Sequence, residues 1–148
     1  MGEIVPVSNR TEVNAFLRQH YLGGVAGWLT AGAMVREEGL GWDGVVVVSR
    51  PTARLSPYRS EVTRLCVRRL SPKNSCSRLL GWATRWAVAN RRDPVVSYAD
   101  PSVGHTGAIY RAANFKAEGT TSGGDWGNRA GRKVRYAGPK LRFVWWKP

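Results

Sequence analysis

Apolar residues recur along the chain with two periods, one typical of strands and one typical of helices. Continuous or alternating apolar runs predict strands at residues 4–7, 28–35, 45–49, 61–69 and 95–99. Apolar residues three and four positions apart predict helices at residues 11–21, 75–90 and 106–113. The tail adds a predicted hairpin, with strands at 134–136 and 141–146 on either side of Gly138 and Pro139.

The most regular helix is predicted to begin at Asn74 or Ser75, directly after the strand at 61–69. Another strand and a shorter helix follow, so strands and helices alternate. With 148 residues the chain has room for one domain and one core. The expected fold class is α/β (α+β): a single domain over residues 1–148, with a mixed central sheet flanked by helices and a basic C-terminal hairpin at about 116–148.

The charge balance adds an expectation about partners. Lys and Arg total 23 against 10 Asp and Glu, which gives a net charge of +13, and 18 of the 23 basic residues are arginine. A planar guanidinium pairs with phosphate through two hydrogen bonds. The composition therefore fits a polyanionic partner, but it also fits an ordinary basic protein from an organism rich in arginine codons, and charge alone favours neither.

The cysteines and the lengths of the apolar runs indicate where the protein is expected to be located. Cys66 and Cys76 have no second pair that would complete a metal-binding spacing. Residues 1–10 lack the apolar stretch of a signal peptide, and no apolar run approaches the roughly 20 residues that span a bilayer. We expect a reducing, cytoplasmic location and no membrane partner. The oligomeric state stays open, a homodimer included.

The strand at 61–69 leads through a polar turn directly into the helix near Ser75. Free backbone N–H groups at a helix N-terminus attract anions and suit a pyrophosphate. Lys73 and Arg78 would add positive charge. An ordinary serine-capped helix explains the same residues, and the spacing alone leaves both interpretations open.

Four sequence blocks stand out in the middle of the chain: EVTRLCV at 61–67, PKNSCSRL at 72–79, SYADP at 97–101 and GHTGAIYRAANF at 104–115. In content and order they resemble the core of the phage Mom-type proteins, which are similar to the GNAT superfamily of N-acetyltransferases. His20 and Tyr21 resemble an upstream element of that family. The resemblance implies a GNAT-like fold and a transferase activity.

The resemblance also implies acetyl-CoA, or a related acyl-CoA, as cofactor. The residues expected to bind it lie on the 61–69 strand and the turn after it: Leu65, Val67, Lys73, Asn74, Ser75, Ser77 and Arg78. Most GNAT acetyltransferases carry two spaced glycines in this turn. This chain has none there, a difference that the Mom-like proteins share.

Two tyrosines are candidate catalytic residues through the same resemblance. It places Tyr110 where GNAT enzymes hold a tyrosine near the departing CoA sulfur, and a phenol with a pKa of about 10 can donate a proton to a thiolate. Tyr21 completes the predicted set from the upstream element. The alternative for Tyr110 is packing in the core beside Phe115.

Asp100 and Arg64 are the charged members of the predicted catalytic set. Asp100 follows an apolar strand at its carboxyl end, where open α/β sheets place their ligands, so its carboxylate could orient an amine or accept its proton. An Asp-Pro turn is the alternative. Arg64 interrupts an otherwise apolar strand. It either binds an anion such as a CoA phosphate or pairs with Asp100 or Glu61.

His20, His105 and Asp100 could in principle form a metal site of two histidines and one carboxylate. They are scattered along the chain, their spacing demonstrates nothing, and we predict no metal.

The tail mixes basic and aromatic residues, which suits phosphate contacts and base stacking. The residues predicted to bind nucleic acid are Arg129, Arg132, Lys133, Arg135, Lys140 and Arg142. The alternative is a hairpin whose aromatic side chains face the core. The expected partner is double-stranded DNA.

The function implied by the resemblance is base modification: Mom-like proteins place a carbamoylmethyl group on the exocyclic amine of adenine, which protects phage DNA from restriction. Two alternatives stay open. One is an acetyl-CoA-dependent N-acetyltransferase acting on a protein or small-molecule amine, and the other is a non-catalytic, basic nucleic-acid-binding protein.

Overall fold

A computed structural model describes residues 2–37, 39–53, 56–121 and 138–148. Seven strands of these residues form one sheet: β1 (Ile4–Pro6), β2 (Thr30–Val35), β3 (Trp42–Ser49), β4 (Ser60–Val67), β5 (Val95–Ala99), β6 (Lys116–Thr120) and β7 (Leu141–Trp145). The α-helices are α1 (Arg10–Phe16), α2 (Ser75–Ala89) and α3 (Ala108–Ala112). This mixed sheet with flanking helices confirms the predicted fold class.

The strand order is β1-β2-β3-β4-β5-β7-β6, and every neighbouring pair is antiparallel except β4 and β5. The parallel pair is joined only at Ser60–Val95 and Glu61–Val96. Both strands continue beyond these pairs without facing each other, so the sheet splits towards their carboxyl ends. The split leaves backbone polar groups of β4 without a strand partner on that side.

A β-bulge changes which face the β4 side chains occupy. Val48 pairs with Val62 and Val47 with Arg64, so Thr63 is the extra residue. In a regular strand Val62 and Leu65 would face opposite sides of the sheet, but the bulge brings them to the same side. Both pack in the core cluster on the α2 side of the sheet. One inserted residue is enough to move the start of the strand to the opposite face.

Each face of the sheet has its own core. On one face α2 buries Leu79, Leu80, Ala83 and Ala87 against the central strands. Its Trp82 ring lies so close to β2 that a Cβ atom at Gly32 would come within 2.7 Å of it. On the other face α1 covers β2 and β3 through Val13, which is fully buried. The two cores fix the central strands on both sides.

The ends of two predicted elements differ from the structure. The first helix ends at Phe16 and continues only as a 3-10 turn to Gln19, rather than to Tyr21. β7 pairs with β5 and β6; the sequence did not predict β6, and the predicted strand at 134–136 lies outside the described residues. None of the described helices is long and apolar enough to cross a membrane.

Candidate functional site

A cleft opens where β4 and β5 separate, and it consists of two cavities. The larger one, about 500 Å³, is lined by β4, the end of β5, residues 19–21 and residues 104–110. The smaller one, about 340 Å³, lies at the beginning of α2. Val67, Ala108 and Ile109 line both, so the two cavities are adjacent parts of one cleft.

The smaller cavity is built from the turn that precedes α2. Asn74 adopts a left-handed conformation with a φ of 65° and makes no side-chain cap, so its amide does not occupy the helix end. The Asn74 carbonyl accepts from the N–H of Arg78 at 3.0 Å, as in a regular helix. The N–H groups of Cys76 and Ser77 come before Arg78 in the first turn and project from the helix end. Such an end suits a phosphate group.

The predicted cofactor residues divide into two groups. Leu65 and Val67 line the larger cavity, and Asn74, Ser75 and Ser77 line the smaller one. The hydroxyl groups of both serines donate to backbone carbonyls of the turn, which fixes its shape. Lys73 is exposed beside this group.

Arg78 does not belong with the other predicted cofactor residues. Its guanidinium donates to the Gly2 carbonyl at 2.8 Å and lies 3.2 Å from the Met34 sulfur. Its side chain extends towards the β1–β2 side of the sheet and ties α2 to the beginning of the chain. The predicted contact of Arg78 with a cofactor stays a prediction.

Tyr110 lines the larger cavity and is also part of the core. Its ring stacks on Phe143 at 5.1 Å and meets Phe115 edge-on at 5.6 Å, and its side chain is only 7% exposed. Its hydroxyl lies 2.8 Å from the Ser97 hydroxyl, which also lies 3.1 Å from the Val62 carbonyl. Burial raises the pKa of Tyr110 to about 12, so the phenol stays protonated at neutral pH.

Asp100 is fully buried and caps the turn after β5. Ser102 donates to its Oδ1 from both backbone N–H and hydroxyl, at 2.9 and 2.6 Å, and the Lys140 ammonium lies 3.4 Å from Oδ2. Burial alone would raise the pKa of Asp100, but the Ser102 hydrogen bonds and the Lys140 charge outweigh it and lower the pKa. The carboxylate is held ionised, which anchors the turn and makes it a weak proton acceptor.

The Arg64 guanidinium hydrogen-bonds to backbone carbonyls rather than to Asp100 or Glu61, and its predicted binding of an anion stays a prediction. Its guanidinium donates to the carbonyls of Gly23, Gly24 and Thr63, at 2.9, 3.2 and 2.7 Å. Glu61 instead accepts from the backbone N–H and hydroxyl of Thr52, and burial raises the pKa of Glu61. Arg64 is thus a tie between β4 and the loop that follows Tyr21.

His20, Tyr21 and His105 form a ring cluster, here called the histidine–tyrosine cluster, in the wall of the larger cavity. Tyr21 stacks on His20 at 4.6 Å and meets His105 edge-on at 5.1 Å. Burial, with smaller effects of Arg64 and His105, lowers the pKa of His20 to about 4. Within the described part of the chain, no group of three or more His, Cys, Asp and Glu side chains could hold a metal ion.

Similarity to known proteins identifies the family of this chain. The family model described as the Mom protein family matches residues 3–132. The chain belongs to the Mom protein family. No protein of curated function matches its sequence.

Solved structures similar to this Mom family member are acetyltransferases. A Bacillus subtilis acetyltransferase in complex with CoA has a TM-score of 0.71 at 15% identity and covers 100% of both chains. Arabidopsis thaliana NAA60 in complex with acetyl-CoA has a TM-score of 0.66 at 10% identity and covers 99% of this chain and 98% of its own. An aminoglycoside 6′-acetyltransferase of type Ii has a TM-score of 0.63 at 12% identity, with 97% and 96% covered. The fold of this family member is therefore the GNAT acetyltransferase fold.

The residues predicted to bind nucleic acid fall partly outside the described residues. Arg129, Arg132, Lys133 and Arg135 lie there. Lys140 and Arg142 both contact the protein itself: Lys140 pairs with Asp100, and Arg142 donates to the Glu118 carbonyl and to the Tyr98 hydroxyl. The charged groups of both side chains are therefore engaged with the protein rather than extended into solvent.

Sequence reasoning missed two residues that complete the cleft of this family member. Ser97 connects Tyr110 to β4 at the point of the split, and Tyr98 lines the larger cavity from the end of β5. A signal for both was present in the SYADP block, where polar residues interrupt an apolar strand just before Asp100. The sequence indicates His20 as part of an upstream family element and both histidines as possible metal ligands, but not that both rings line the cavity.

Proposed function

We propose that this protein transfers a carbamoylmethyl-type group to the exocyclic amine of adenine in double-stranded phage DNA, using an acyl-CoA-type donor, and so protects the DNA against restriction. The observation that carries the proposal is the match to the Mom family over residues 3–132, together with a cleft that joins an anion-binding helix end to the histidine–tyrosine cluster.

The donor end of the cleft supports an acyl-CoA ligand. The helix end at Cys76 and Ser77 offers N–H groups for a pyrophosphate, and Lys73 adds charge nearby. Beyond Glu61 the edge of β4 has no strand partner on the β5 side and is open to an extended amide chain, apart from the Val62 carbonyl, which accepts from the Ser97 hydroxyl. When bound, an acyl-CoA would supply a two-carbon unit, and its carbon–sulfur bond would break, with a thiolate as leaving group, as the thioester carbonyl becomes the amide carbonyl of the product.

Tyr110 is the proton donor in this proposal. A phenol with a pKa of about 12 is protonated throughout the physiological range and can give its proton to a developing thiolate. Ser97 holds the hydroxyl in place from β5. Asp100 acts as a positioning residue, because its ionised and fully buried carboxylate fixes the turn that carries His105.

The acceptor end supports a planar aromatic substrate. An amine inside a duplex is reached only if its base leaves the stack, which requires a pocket able to enclose a base. The larger cavity contains aromatic rings from three segments, at Tyr21, Tyr98 and His105. The net charge of +13 supports attraction to DNA phosphates, with the predicted cations of the tail as contacts.

Nucleoside mass analysis of DNA from cells that express the chain tests the proposal. We expect a modified deoxyadenosine whose mass shift corresponds to a carbamoylmethyl-type group. Cells that express the folded Tyr110→Phe variant should show it at a level lower by about a hundredfold or more. Unmodified DNA from cells with folded parent protein would overturn the proposal.

An N-acetyltransferase for a protein or small-molecule amine is the second candidate. The similar structures favour it, since they are acetyltransferases and one acts on aminoglycosides by name. The same fold accommodates different acceptors, so the fold does not choose between the candidates. An acetyl group on a non-DNA acceptor would support this candidate, and failure of CoA compounds to bind would leave only a non-catalytic nucleic-acid-binding role.

A further inference from the structure

Four arginines from three segments meet at the amino ends of β4 and β5, and we call them the arginine patch. Arg50 follows β3, Arg59 precedes β4, and Arg91 and Arg92 follow α2. Arg92 is half-buried, and the other three are exposed. The cleft opens towards the carboxyl ends of the same two strands, so the patch is a separate surface.

Backbone contacts bring these segments together. The Ser60 hydroxyl donates to the Arg92 carbonyl at 2.7 Å, and the Arg59 guanidinium donates to the Arg91 carbonyl at 3.4 Å. The pairing of β3 with β4 brings Arg50, directly after the last residue of β3, to the same place. The fold therefore gathers four positive charges that are far apart in the sequence.

The fold makes little use of these charges. Within the described residues, the side chains of Arg50, Arg91 and Arg92 make no hydrogen bond and no ion pair. Other arginines of this chain stabilise the fold directly: Arg64 donates to three backbone carbonyls, and Arg68 pairs with a carboxylate. The guanidinium groups of the patch are thus available to a ligand.

Few negative charges oppose the patch. Residues 50–59 and 85–94 contain six arginines and a single acidic residue, Asp93, which forms no ion pair within the described part of the chain. Glu61 is buried and accepts both hydrogen bonds from Thr52, so its carboxylate is engaged inside the fold. The patch keeps its positive charge and attracts anions.

Arg91 occupies a position that favours glycine. Its φ is 54°, in the left-handed region. The N–H of Arg92 donates to the Ala87 carbonyl at 2.7 Å, and the N–H of Arg91 donates to the Val88 carbonyl at 3.2 Å. This is a Schellman motif, whose left-handed residue is usually glycine. A cation at a helix C-terminus favours the helix dipole, but one cation is enough for that effect, and the patch has four.

We propose that the arginine patch binds the phosphate backbone of the duplex whose adenine is modified, so that one DNA molecule contacts the patch and the larger cavity together. This rests on the proposed function and deepens it by naming a surface that holds the substrate. Arg59 lies three residues before Val62, which lines the larger cavity. About 10 Å of extended strand separates them, a distance that roughly three base pairs of a duplex cover.

The chemistry of the patch fits phosphates rather than bases or a protein surface. A guanidinium pairs with a phosphate through two parallel hydrogen bonds. Protein interfaces have an apolar centre, and single-strand sites stack bases on aromatic rings. The exposed large hydrophobic side chains of the described residues all lie in other segments. We therefore expect the patch to bind duplex DNA without regard to base sequence.

Binding of an adenine-containing duplex at several salt concentrations tests this inference, with Arg91→Gly as the main variant. Glycine removes the charge and suits the left-handed backbone, so thermal unfolding should show a variant about as stable as the parent. Its affinity for the duplex should fall about two- to fivefold at moderate salt. The slope of log affinity against log salt should flatten by about one unit, because one phosphate is no longer neutralised.

Paired variants sharpen the measurement. Arg59→Ala combined with Arg91→Gly should flatten the slope by about two units, whereas lysine at both positions keeps the charges and most of the slope. Arg10→Ala combined with Arg85→Ala is the matched control, because it removes two exposed charges of α1 and α2 that lie outside the patch. The slope of the control should stay close to that of the parent.

The outcomes separate the two proposals. A parent protein that binds no duplex contradicts the proposed function itself. A parental slope in the folded patch variants, or an equal change in the control, would overturn the patch assignment and leave the proposed function intact. Patch variants that lose binding to poly-L-glutamate but bind DNA as the parent does would assign the patch to an acidic protein, which would overturn it as well.

Discussion

The two cavities of the cleft are built from different parts of the chain. The smaller one takes most of its lining from one continuous segment, residues 71–77, and offers mainly backbone N–H groups and small side chains. The larger one brings its titratable rings from distant segments around residues 20, 98, 105 and 110. Backbone geometry is fixed by the fold, whereas side chains on separate loops vary freely with the acceptor.

Because of this difference, the fold alone does not determine which acceptor the larger cavity takes. A helix end that follows β4 recurs wherever the strand-turn-helix unit recurs, so the donor end belongs to the fold. The histidine–tyrosine cluster depends on loops that Arg64 and Asp100 hold in place through hydrogen bonds. Under the proposed function, we therefore expect the acceptor end to carry the specificity of this chain.

The largest effect on the rate of DNA modification is expected from Tyr110→Phe. Tyr110 lies where the two ends of the cleft meet. The variant keeps the ring between Phe115 and Phe143 and removes only the hydroxyl. Loss of one general acid lowers a rate by roughly 100- to 10,000-fold. DNA modification in cells measures it, with thermal unfolding as the check on the fold.

Tyr58→Phe is the matched control for that variant, because it removes a phenol hydroxyl from a side chain that does not line the larger cavity. Parental activity in the folded Tyr110→Phe protein would mean that the cleft works without this proton donor, and the two ends would have to be connected in another way.

The second largest effect concerns DNA affinity. Replacing Arg132, Lys133 and Arg135 with Ala should weaken DNA binding about ten- to a hundredfold at moderate salt, because a protein that neutralises fewer phosphates releases fewer counterions. The slope of affinity against salt should flatten by about one unit for each phosphate that is no longer neutralised. Binding isotherms at several salt concentrations measure both quantities.

Arg10→Ala and Arg85→Ala give the charge control for the tail variant. Both arginines are exposed and lie on α1 and α2. If the slope changes as much for these two as for the tail residues, the DNA follows the general charge of the protein, and the tail does not define the binding face.

A smaller effect, mainly on the free energy of unfolding, is expected from Asp100→Asn, which removes the buried charge facing Lys140. We expect the free energy of unfolding to fall by about 1–3 kcal/mol, and modification to fall strongly because the turn before His105 loosens. The folded pKa of Asp100 is lowered, so the charge stabilises the protein above the unfolded value near 4 and this contribution disappears as the pH falls through the folded pKa. Denaturant unfolding from neutral to acidic pH measures this.

The difference in unfolding free energy between parent and Asp100→Asn should therefore shrink below about pH 4. Ser102→Ala is the control that keeps the carboxylate and its ion pair with Lys140 while removing one hydroxyl donor. A difference that does not change with pH would show that the carboxylate charge contributes nothing to folding.

The sequence predicted most of the fold because the elements around the cleft have strong local signals. The valine run at 45–49 and the helix from Ser75 are recognisable without tertiary context. The bulge at Thr63 was not predictable, since one extra residue leaves no mark on composition. Nor was β6, because all five of its residues are exposed and polar or small, without a buried face to set a period.

The site was predictable where its residues are neighbours in sequence. Asn74, Ser75 and Ser77 line the smaller cavity as one turn. Arg78 follows directly in the same helix, but its long side chain reaches Gly2 and Met34, and only this packing decides its direction. The approach of His20 to His105 depends on the whole fold, so no spacing in the chain could indicate it.

The smallest effect separates Lys73 from Arg78 at the donor end. Lys73 is exposed beside the smaller cavity, so Lys73→Ala should weaken CoA binding only about two- to fivefold, and less at high salt, because an exposed charge is screened. Ser75→Ala should weaken it through the turn, since its hydroxyl donates to the Pro72 carbonyl. Arg78→Ala should leave CoA affinity unchanged and lower the free energy of unfolding by about 1 kcal/mol, because the hydrogen bond to the Gly2 carbonyl is removed. Calorimetry with CoA at two salt concentrations, paired with denaturant unfolding, measures all three.

A larger drop in CoA affinity in Arg78→Ala than in Lys73→Ala would contradict this prediction. It would mean that the bound cofactor draws the Arg78 side chain back to the cleft. The donor end would then depend on side-chain rearrangement as the acceptor end does.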